Sequence, residues 1–378
     1  MAKNAAQIDV LVLGEHPAAY LAAALLRHKS KYRVVHSTIP GEQFTDRLVM
    51  VNPMLFGLHP LLGPVRRKFE ARPVYGLQFY ADDPNIRSEY RSKSTVACVG
   101  QYKDVRLAME TLADGQGVEF TSPSQLQIHR LNEHGLEVTV GSQKLFPKAL
   151  VLAGRLPDHQ ERLLGLPDEW ERGIVHRYSF CMIRGTRLID INSRPLVPMS
   201  LDLRGLLCWA WLLPGLRHTQ LALEQPLNLA QQHKPIDLLN HWAQVLHRNG
   251  VLKTPLTITP EMVQSLDLPM GGALAHEGVA NRTLLVGPAG GFYSACAEDI
   301  YPNCWSAIYA ADVLKKAIKE EHLQDAIQPY RHQWRTTLGD YLRGPQQNLR
   351  FLLPLVYRNQ IMTNRLAEAI LTGESVVR

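Results

Sequence analysis

Residues 283–313, TLLVGPAGGFYSACAEDIYPNCWSAIYAADV, predict an apolar strand, a glycine-rich turn and a long apolar helix in succession. The start of the chain has the same order, because the apolar run 8–13 leads into Gly14 and an alanine- and leucine-rich segment follows. The N-terminus of a helix presents backbone N–H groups that attract phosphate. Two such turns, far apart in the sequence, can therefore converge on one extended ligand.

The length and composition are those of an ordinary globular chain with more than one core. The chain has 378 residues, of which 46% are hydrophobic. Its net charge is +6, but the basic residues are scattered, which argues against a nucleic-acid partner and leaves contact with an anionic membrane surface open. The chain has five cysteines without metal-ligand spacing, and its N-terminus lacks the apolar core of a signal peptide. These two features indicate a cytoplasmic protein, with membrane association as an open alternative.

The order of strand-like and helix-like segments predicts a discontinuous α/β domain with a second, β-rich domain inserted into it. Buried apolar runs that alternate with helical patterns indicate a parallel sheet covered on both faces. The predicted parts are the α/β domain (1–60, 98–170 and 270–320), the inserted β-rich domain (61–97 and 171–269) and a C-terminal helical segment (321–378).

The first turn has the sequence Gly14-Glu15-His16-Pro17-Ala18-Ala19. A dinucleotide-binding turn has glycine at its first, third and sixth positions, for the tight turn, for the approach of a pyrophosphate and for helix–strand packing. Gly14 keeps the first position, His16 replaces the third, and Ala19 is a tolerated sixth. His36 stands where an acidic residue would bind the ribose. The turn therefore needs a shifted backbone to bind a pyrophosphate, and a βαβ unit without cofactor is the alternative.

The second turn resembles the Gly-Asp-Ala-Ala-Gly-Phe motif of the p-hydroxybenzoate hydroxylase and geranylgeranyl reductase group of FAD-dependent oxidoreductases. Here it reads Gly287-Pro288-Ala289-Gly290-Gly291-Phe292, so Pro288 replaces the aspartate that would bind the ribityl chain. The segment that follows in that group, Pro-x-x-Gly-Glu-Gly-Ile, corresponds to residues 294–300. Glu298 and Ile300 match it, and Asp299 replaces a glycine.

The resemblance extends over most of the chain and is weakest in the inserted domain. Residues 145–167 resemble the strand that carries the group's Ala-Thr/Asp-Gly motif, with Ala153 and Gly154 retained. Residues 102–120 resemble its next helix and strand, and residues 330–343 resemble the reductases' C-terminal helices. The resemblance implies a glutathione-reductase-like Rossmann FAD domain beside an antiparallel β-sheet substrate domain.

The resemblance also implies FAD as the cofactor and a set of candidate contacts. Arg47 belongs to the set because the group often places an arginine near the cofactor, although a surface arginine is the alternative. The candidate cofactor contacts are Gly14, His16, Pro17, Ala18, Ala19, His36, Arg47, Gly154, Gly287, Pro288, Ala289, Gly290, Glu298 and Ile300. No catalytic acid or base is assigned, and no metal site is predicted because no HxxxH or HExxH pattern occurs.

Two functions of different classes follow. The first is a flavin-dependent oxidoreductase acting on a hydrophobic substrate, isoprenoid, lipid-like or aromatic, with an unknown external electron donor; its pocket is expected between the inserted sheet and the apolar segment 50–62. The second is a non-catalytic protein of the same fold that has lost the cofactor and binds a hydrophobic ligand or a protein partner. The substitutions at His16, His36 and Pro288 favour the second function, and the retained glycines favour the first.

Overall fold

A computed structural model describes residues 5–42, 45–132, 135–166, 175–184, 194–269, 279–294, 300–343 and 349–373. The described strands are β1 (Ala5–Leu13), β2 (Val34–Ser37), β3 (Leu48–Val51), β4 (Ala71–Val74), β5 (Gly76–Tyr80), β6 (Arg87–Arg91), β7 (Ala97–Gln101), β8 (Glu119–Thr121), β9 (Leu126–Asn132), β10 (Gly135–Val140), β11 (Gln143–Leu152), β12 (Val175–Arg184), β13 (Val197–Leu203), β14 (Leu206–Pro214), β15 (His218–Pro226), β16 (Gln264–Pro269), β17 (Val279–Ala280) and β18 (Thr283–Leu285). The described helices are α1 (Pro17–Arg27), α2 (Gly63–Lys68), α3 (Tyr102–Gly115), α4 (Asp158–Leu163), α5 (Leu227–Gln232), α6 (Pro235–Arg248), α7 (Ile300–Ala317), α8 (Leu323–Ala326), α9 (Pro329–Arg343), α10 (Leu349–Val356) and α11 (Gln360–Thr372).

The first sheet, called the parallel sheet below, has the strand order β17-β18-β11-β1-β2-β8. β1 runs parallel to β11 and β2, β18 runs parallel to β11, and β8 runs parallel to β2. The end of β1 is fully buried because helices α1, α3 and α7 cover one face and a second apolar cluster covers the other. This double burial explains the continuous apolar run at residues 8–13.

The second sheet, called the antiparallel sheet, has the order β16-β12-β15-β14-β13-β5-β6. β13 and β5 are parallel, and the other neighbouring strands are antiparallel. Trp211 belongs to the core on one face, which includes residues of α10 and α11, and Trp242 of α6 belongs to the core on the other. Strands β5 and β6 lie within 61–97 and β12–β16 within 171–269, the two parts predicted for the inserted domain. The domain boundaries themselves stay predictions.

A small third sheet joins β3, β7 and β4. The tail that follows α7 is helical in its described parts, as predicted, and α9 packs against α7. The hydroxyl of Tyr330 in α9 donates to the carbonyl oxygen of Leu285 in β18, at 2.7 Å, which ties the tail to the parallel sheet. Among the described residues, no helix combines the length and the apolar character needed to cross a bilayer.

Candidate functional site

The carboxyl ends of the parallel strands bring the predicted glycines together. Gly14 follows β1, Gly154 follows β11 and Gly287 follows β18. Gly14 has a φ of +120°, and a Cβ added to it would lie 2.8 Å from the backbone nitrogen of Gly154. A Cβ added to Gly287 would lie 3.3 Å from the Cβ of Ala18. Ligands of open α/β sheets bind at this edge, so the fold places the candidate residues where a cofactor site is expected.

His16 fills the space between the two glycine turns. It is the N-cap of α1, and its Nδ1 accepts a hydrogen bond from the backbone N–H of Ala18 at 3.1 Å. Its Nε2 lies 3.4 Å from the side-chain nitrogen of Asn303 in α7, and its ring is only 4% exposed. Pro17 occupies the first helical position because its missing N–H costs nothing there. The imidazole therefore accepts the hydrogen bond from the helix N–H that a pyrophosphate would use.

His36 lies near the end of β2 and its side chain bonds to the protein. Its ring is 1% exposed, lies 4.4 Å from the ring of Tyr20 in a stacked arrangement and packs against Phe120. Burial lowers its pKa from 6.5 to about 4, so the imidazole is neutral near physiological pH. Its Nε2–H then donates to the carbonyl oxygen of Gly14, at 2.9 Å. A donor directed at the backbone thus stands where a ribose-binding carboxylate was expected.

Glu42 is a site residue that the sequence did not single out. Its carboxylate accepts a hydrogen bond from the backbone N–H of Glu15 at 3.1 Å. Its other oxygen lies 2.5 Å from the position that a Cβ on Gly154 would take, so a side chain at residue 154 would have to displace Glu42. Burial raises the pKa of Glu42 to about 7. No motif places an acid at this position, and only the path of the chain after β2 brings it to the first turn.

The second turn bonds to α7. Residues Gly287–Gly290 form a 3₁₀ turn, and the N–H of Gly287 donates to the hydroxyl oxygen of the fully buried Ser306 at 3.0 Å. Ala289 is buried, whereas Pro288 lines a cavity. Ile300 begins α7 and is fully buried in the apolar core. Glu298 lies outside the described residues. The assignment of these residues to a cofactor stays a prediction.

A cavity of about 450 Å³ begins beside the first turn and extends to the antiparallel sheet. This volume lies within the roughly 300–1,000 Å³ typical of small-molecule sites. The guanidinium of Arg47 is buried at its wall and lies 4.0 Å from the ring centre of Tyr102. Its lining residues are Glu15, His16, Ile39, Pro40, Gly41, Glu42, Thr45, Arg47, Tyr102, Gly154, Arg155, Leu156, Pro157, Leu266, Asp267, Leu268 and Pro288.

The cavity differs from the predicted pocket in one wall. Residues 50–62 were expected to line it, but Leu55 and Leu62 are buried in the core beneath α1 and α7 instead. Residues 39–42, which follow β2, line the cavity in that place. A second cavity of about 440 Å³, near α2 and α3, contains no predicted site residue. Within the described ranges, no group of three or more His, Cys, Asp or Glu side chains is placed to hold a metal ion.

No protein-family model matches the chain, and neither does any curated protein. Solved structures match nearly all of it. A flavoprotein/dehydrogenase from Cytophaga hutchinsonii has a TM-score of 0.69 at 15% identity, covering 97% of this chain and 93% of its own. A geranylgeranyl bacteriochlorophyll reductase-like protein from Thermoplasma acidophilum has 0.67 at 15%, covering 98% and 89%. PqsL from Pseudomonas aeruginosa, a probable FAD-dependent monooxygenase, has 0.66 at 17%, covering 94% and 98%.

The chain therefore has the two-domain fold of the FAD-dependent oxidoreductases, as predicted. The neighbours include the geranylgeranyl reductase type that the second turn resembles. They show the fold alone, since identities of 15–17% do not carry the activity or the cofactor of one protein over to another.

The residues of the crevice fit one part of an FAD molecule better than the other. The cavity of about 450 Å³ borders Arg47 and Tyr102. In the arrangement described, however, the N–H groups of Glu15 and Ala18 are bonded to side chains, and His36 is buried with its Nε2–H donated to Gly14, so it does not replace the carboxylate that would bind a ribose. The crevice as packed therefore does not fit the pyrophosphate and adenosine half of the cofactor.

Proposed function

We propose that this chain is a flavin-dependent oxidoreductase that acts on a hydrophobic substrate in the cavity between the parallel sheet and strand β16. One observation carries the proposal: the cavity begins at the carboxyl ends of β1 and β11, where this fold class binds its ligands, and reaches the edge of the antiparallel sheet. When bound, a flavin supplies hydride transfer, while the protein supplies orientation and a site that excludes water.

The walls of the cavity support a hydrophobic substrate. Much of the lining is apolar, and Leu266 and Leu268 of β16 contribute to it. Tyr102 and Arg47 form a stacked pair in which a polar end of the substrate can find a donor. An isoprenoid, lipid-like or aromatic substrate fits this lining, in keeping with the geranylgeranyl reductase type among the structural neighbours.

A second candidate function is a non-catalytic protein that binds a hydrophobic ligand in the same cavity. One observation favours it: in both glycine turns, the chain's own side chains accept hydrogen bonds from backbone N–H groups. The first function needs an external electron donor, whereas the second function needs none.

Equilibrium dialysis of the purified protein against FAD, followed by its visible absorption spectrum, separates the two functions. We expect bound flavin and, with a reductant present, conversion of an unsaturated lipid that mass spectrometry detects. Leu268→Trp fills the cavity and should lower conversion by about tenfold or more, because one large side chain excludes the substrate. Leu107→Trp, in the second cavity, is the matched control and should leave conversion unchanged. A protein that takes up no FAD would leave only the second function.

We also propose that the C-terminal helices contact an anionic membrane surface. Phe351 and Leu355 lie one turn apart on α10 and are 81% and 47% exposed, and Ile361 at the start of α11 is 63% exposed. The exposed Arg350 and Arg358 flank these apolar side chains, which is the arrangement of an interfacial helix. The basic stretch 66–68 of α2 lines the second cavity through Lys68.

Sedimentation with vesicles tests this membrane contact. The double variant Phe351→Ser, Leu355→Ser is expected to bind vesicles with one quarter phosphatidylserine about a hundredfold more weakly than the wild type, since each apolar side chain is worth ~1.5–3 kcal/mol when fully buried. Leu163→Ser, an exposed leucine on α4, is the matched control and should bind as the wild type does. Equal binding of the double variant would refute the contact.

A further inference from the structure

In both glycine turns, side chains of this protein accept hydrogen bonds from backbone N–H groups. In the first turn, Glu15 donates its backbone N–H to Glu42, and Ala18 donates its backbone N–H to His16. In the second turn, Gly287 donates to Ser306. Free N–H groups at such turns are what attract a phosphate, so each of these bonds takes a contact that a pyrophosphate would otherwise make.

The three side chains differ in how firmly they are held. The hydroxyl of Ser306 also donates to the carbonyl oxygen of Asn303 at 2.6 Å, within its own helix α7, so its position is part of that helix. His16 and Glu42 both border the cavity of about 450 Å³. Both side chains therefore border open space, whereas Ser306 does not line the cavity. They are therefore the two occupants that a ligand can displace.

Charge disfavours a phosphate beside the first turn. Glu42 lies close enough to Glu15 for the two carboxylates to repel each other, and both border the space beside the first turn. A phosphate placed on the N–H of Glu15 would add further negative charge beside them, which is unfavourable at short range in a partly buried site. A ligand without phosphate meets no such barrier in the same cavity.

We propose that His16 and Glu42 form an internal latch that closes the phosphate site of the crevice, so that a pyrophosphate-bearing ligand binds only by displacing both side chains. The latch makes the cavity selective for ligands without phosphate while it is closed. The proposal rests on the proposed function in one respect only, which is the choice of FAD as a probe. It predicts that FAD affinity is limited by the chain's own side chains rather than by the cavity.

Binding titrations of the full-length protein with three probes test the latch: FAD, ADP and riboflavin. ADP carries the pyrophosphate without a flavin, and riboflavin carries the flavin without phosphate. We expect His16→Gly and Glu42→Ala each to bind FAD and ADP about tenfold or more tightly than the wild type, because each variant returns one N–H to the ligand. Riboflavin affinity should stay the same in all variants.

The control is a second histidine that makes the same kind of contact elsewhere. His59 caps a 3₁₀ helix through a bond from the N–H of Leu61 to its Nδ1, at 3.2 Å, and it does not line the cavity. His59→Gly should leave FAD and ADP affinity unchanged. Glu42→Ala keeps the cap of α1, so it supplies the test even if His16→Gly is too unstable to purify.

The outcomes separate the latch from the proposed function. If the wild type binds FAD as tightly as both variants do, the latch is wrong and the flavin function stands. If riboflavin affinity rises together with FAD affinity, the gain comes from a larger cavity and the latch is wrong. If no variant binds FAD or ADP, both the latch and the flavin function are wrong.

Discussion

Gly14→Ala is expected to lower the free energy of unfolding by about 2–5 kcal/mol, because it combines left-handed backbone strain with overpacking. The φ of Gly14 is +120°, a conformation that residues with a Cβ rarely adopt. The new Cβ would lie 2.8 Å from the nitrogen of Gly154 and 3.1 Å from the carbonyl carbon of Ala153. These are backbone atoms just after β11, so no side-chain rotation relieves the contact. Urea unfolding followed by circular dichroism measures the loss.

Gly63→Ala is the matched control for Gly14→Ala. Gly63 begins α2 with right-handed helical angles, and a Cβ there would have no atom within 4 Å. We expect its urea midpoint to stay the same or to rise by the equivalent of up to ~1 kcal/mol, because alanine restricts the unfolded chain more than glycine does. An equal loss in the two variants would contradict the close approach of the first turn to β11.

Titration of His36 is expected to lower the free energy of unfolding by about 3 kcal/mol as the pH falls from 6.5 to 4. Burial among Tyr20 and Phe120 holds its folded-state pKa near 4, below the ordinary value of 6.5. Between these two values the unfolded chain binds a proton that the folded chain does not. Its contribution to stability is therefore present above pH 6.5 and is lost as the pH falls toward 4.

The comparison of the wild type with His36→Gln isolates this effect. Glutamine does not titrate, and its amide can still donate to the carbonyl oxygen of Gly14. We expect the stability of the wild type, relative to the variant, to fall by about 3 kcal/mol over that interval in urea unfolding at several pH values. Glu42, whose raised pKa acts in the opposite direction between 4.5 and about 7, is present in both proteins and cancels. Parallel pH profiles would show that His36 is not held neutral by burial.

The sequence by itself determined the two strand–glycine–helix units and, through the motifs around Gly154 and Gly287, the fold class. These features are local, since a continuous apolar run, a glycine at a tight turn and a proline in the first helical turn act within a few residues. The parallel order of β18, β11 and β1 then brings Gly287, Gly154 and Gly14 to one edge of the sheet, as the motifs predict.

Only the tertiary structure decided what occupies that edge. The sequence marked His16 and His36 as departures from a cofactor motif, but their partners depend on rotamer and burial, which a linear pattern does not contain. Glu42 belongs to no motif, and the turn after β2 brings its carboxylate to the backbone N–H of Glu15. Leu55 entered the core instead of the cavity wall for the same reason. Local patterns fix elements and turns, whereas the choice between a ligand and the chain's own side chains is made by contacts between distant segments.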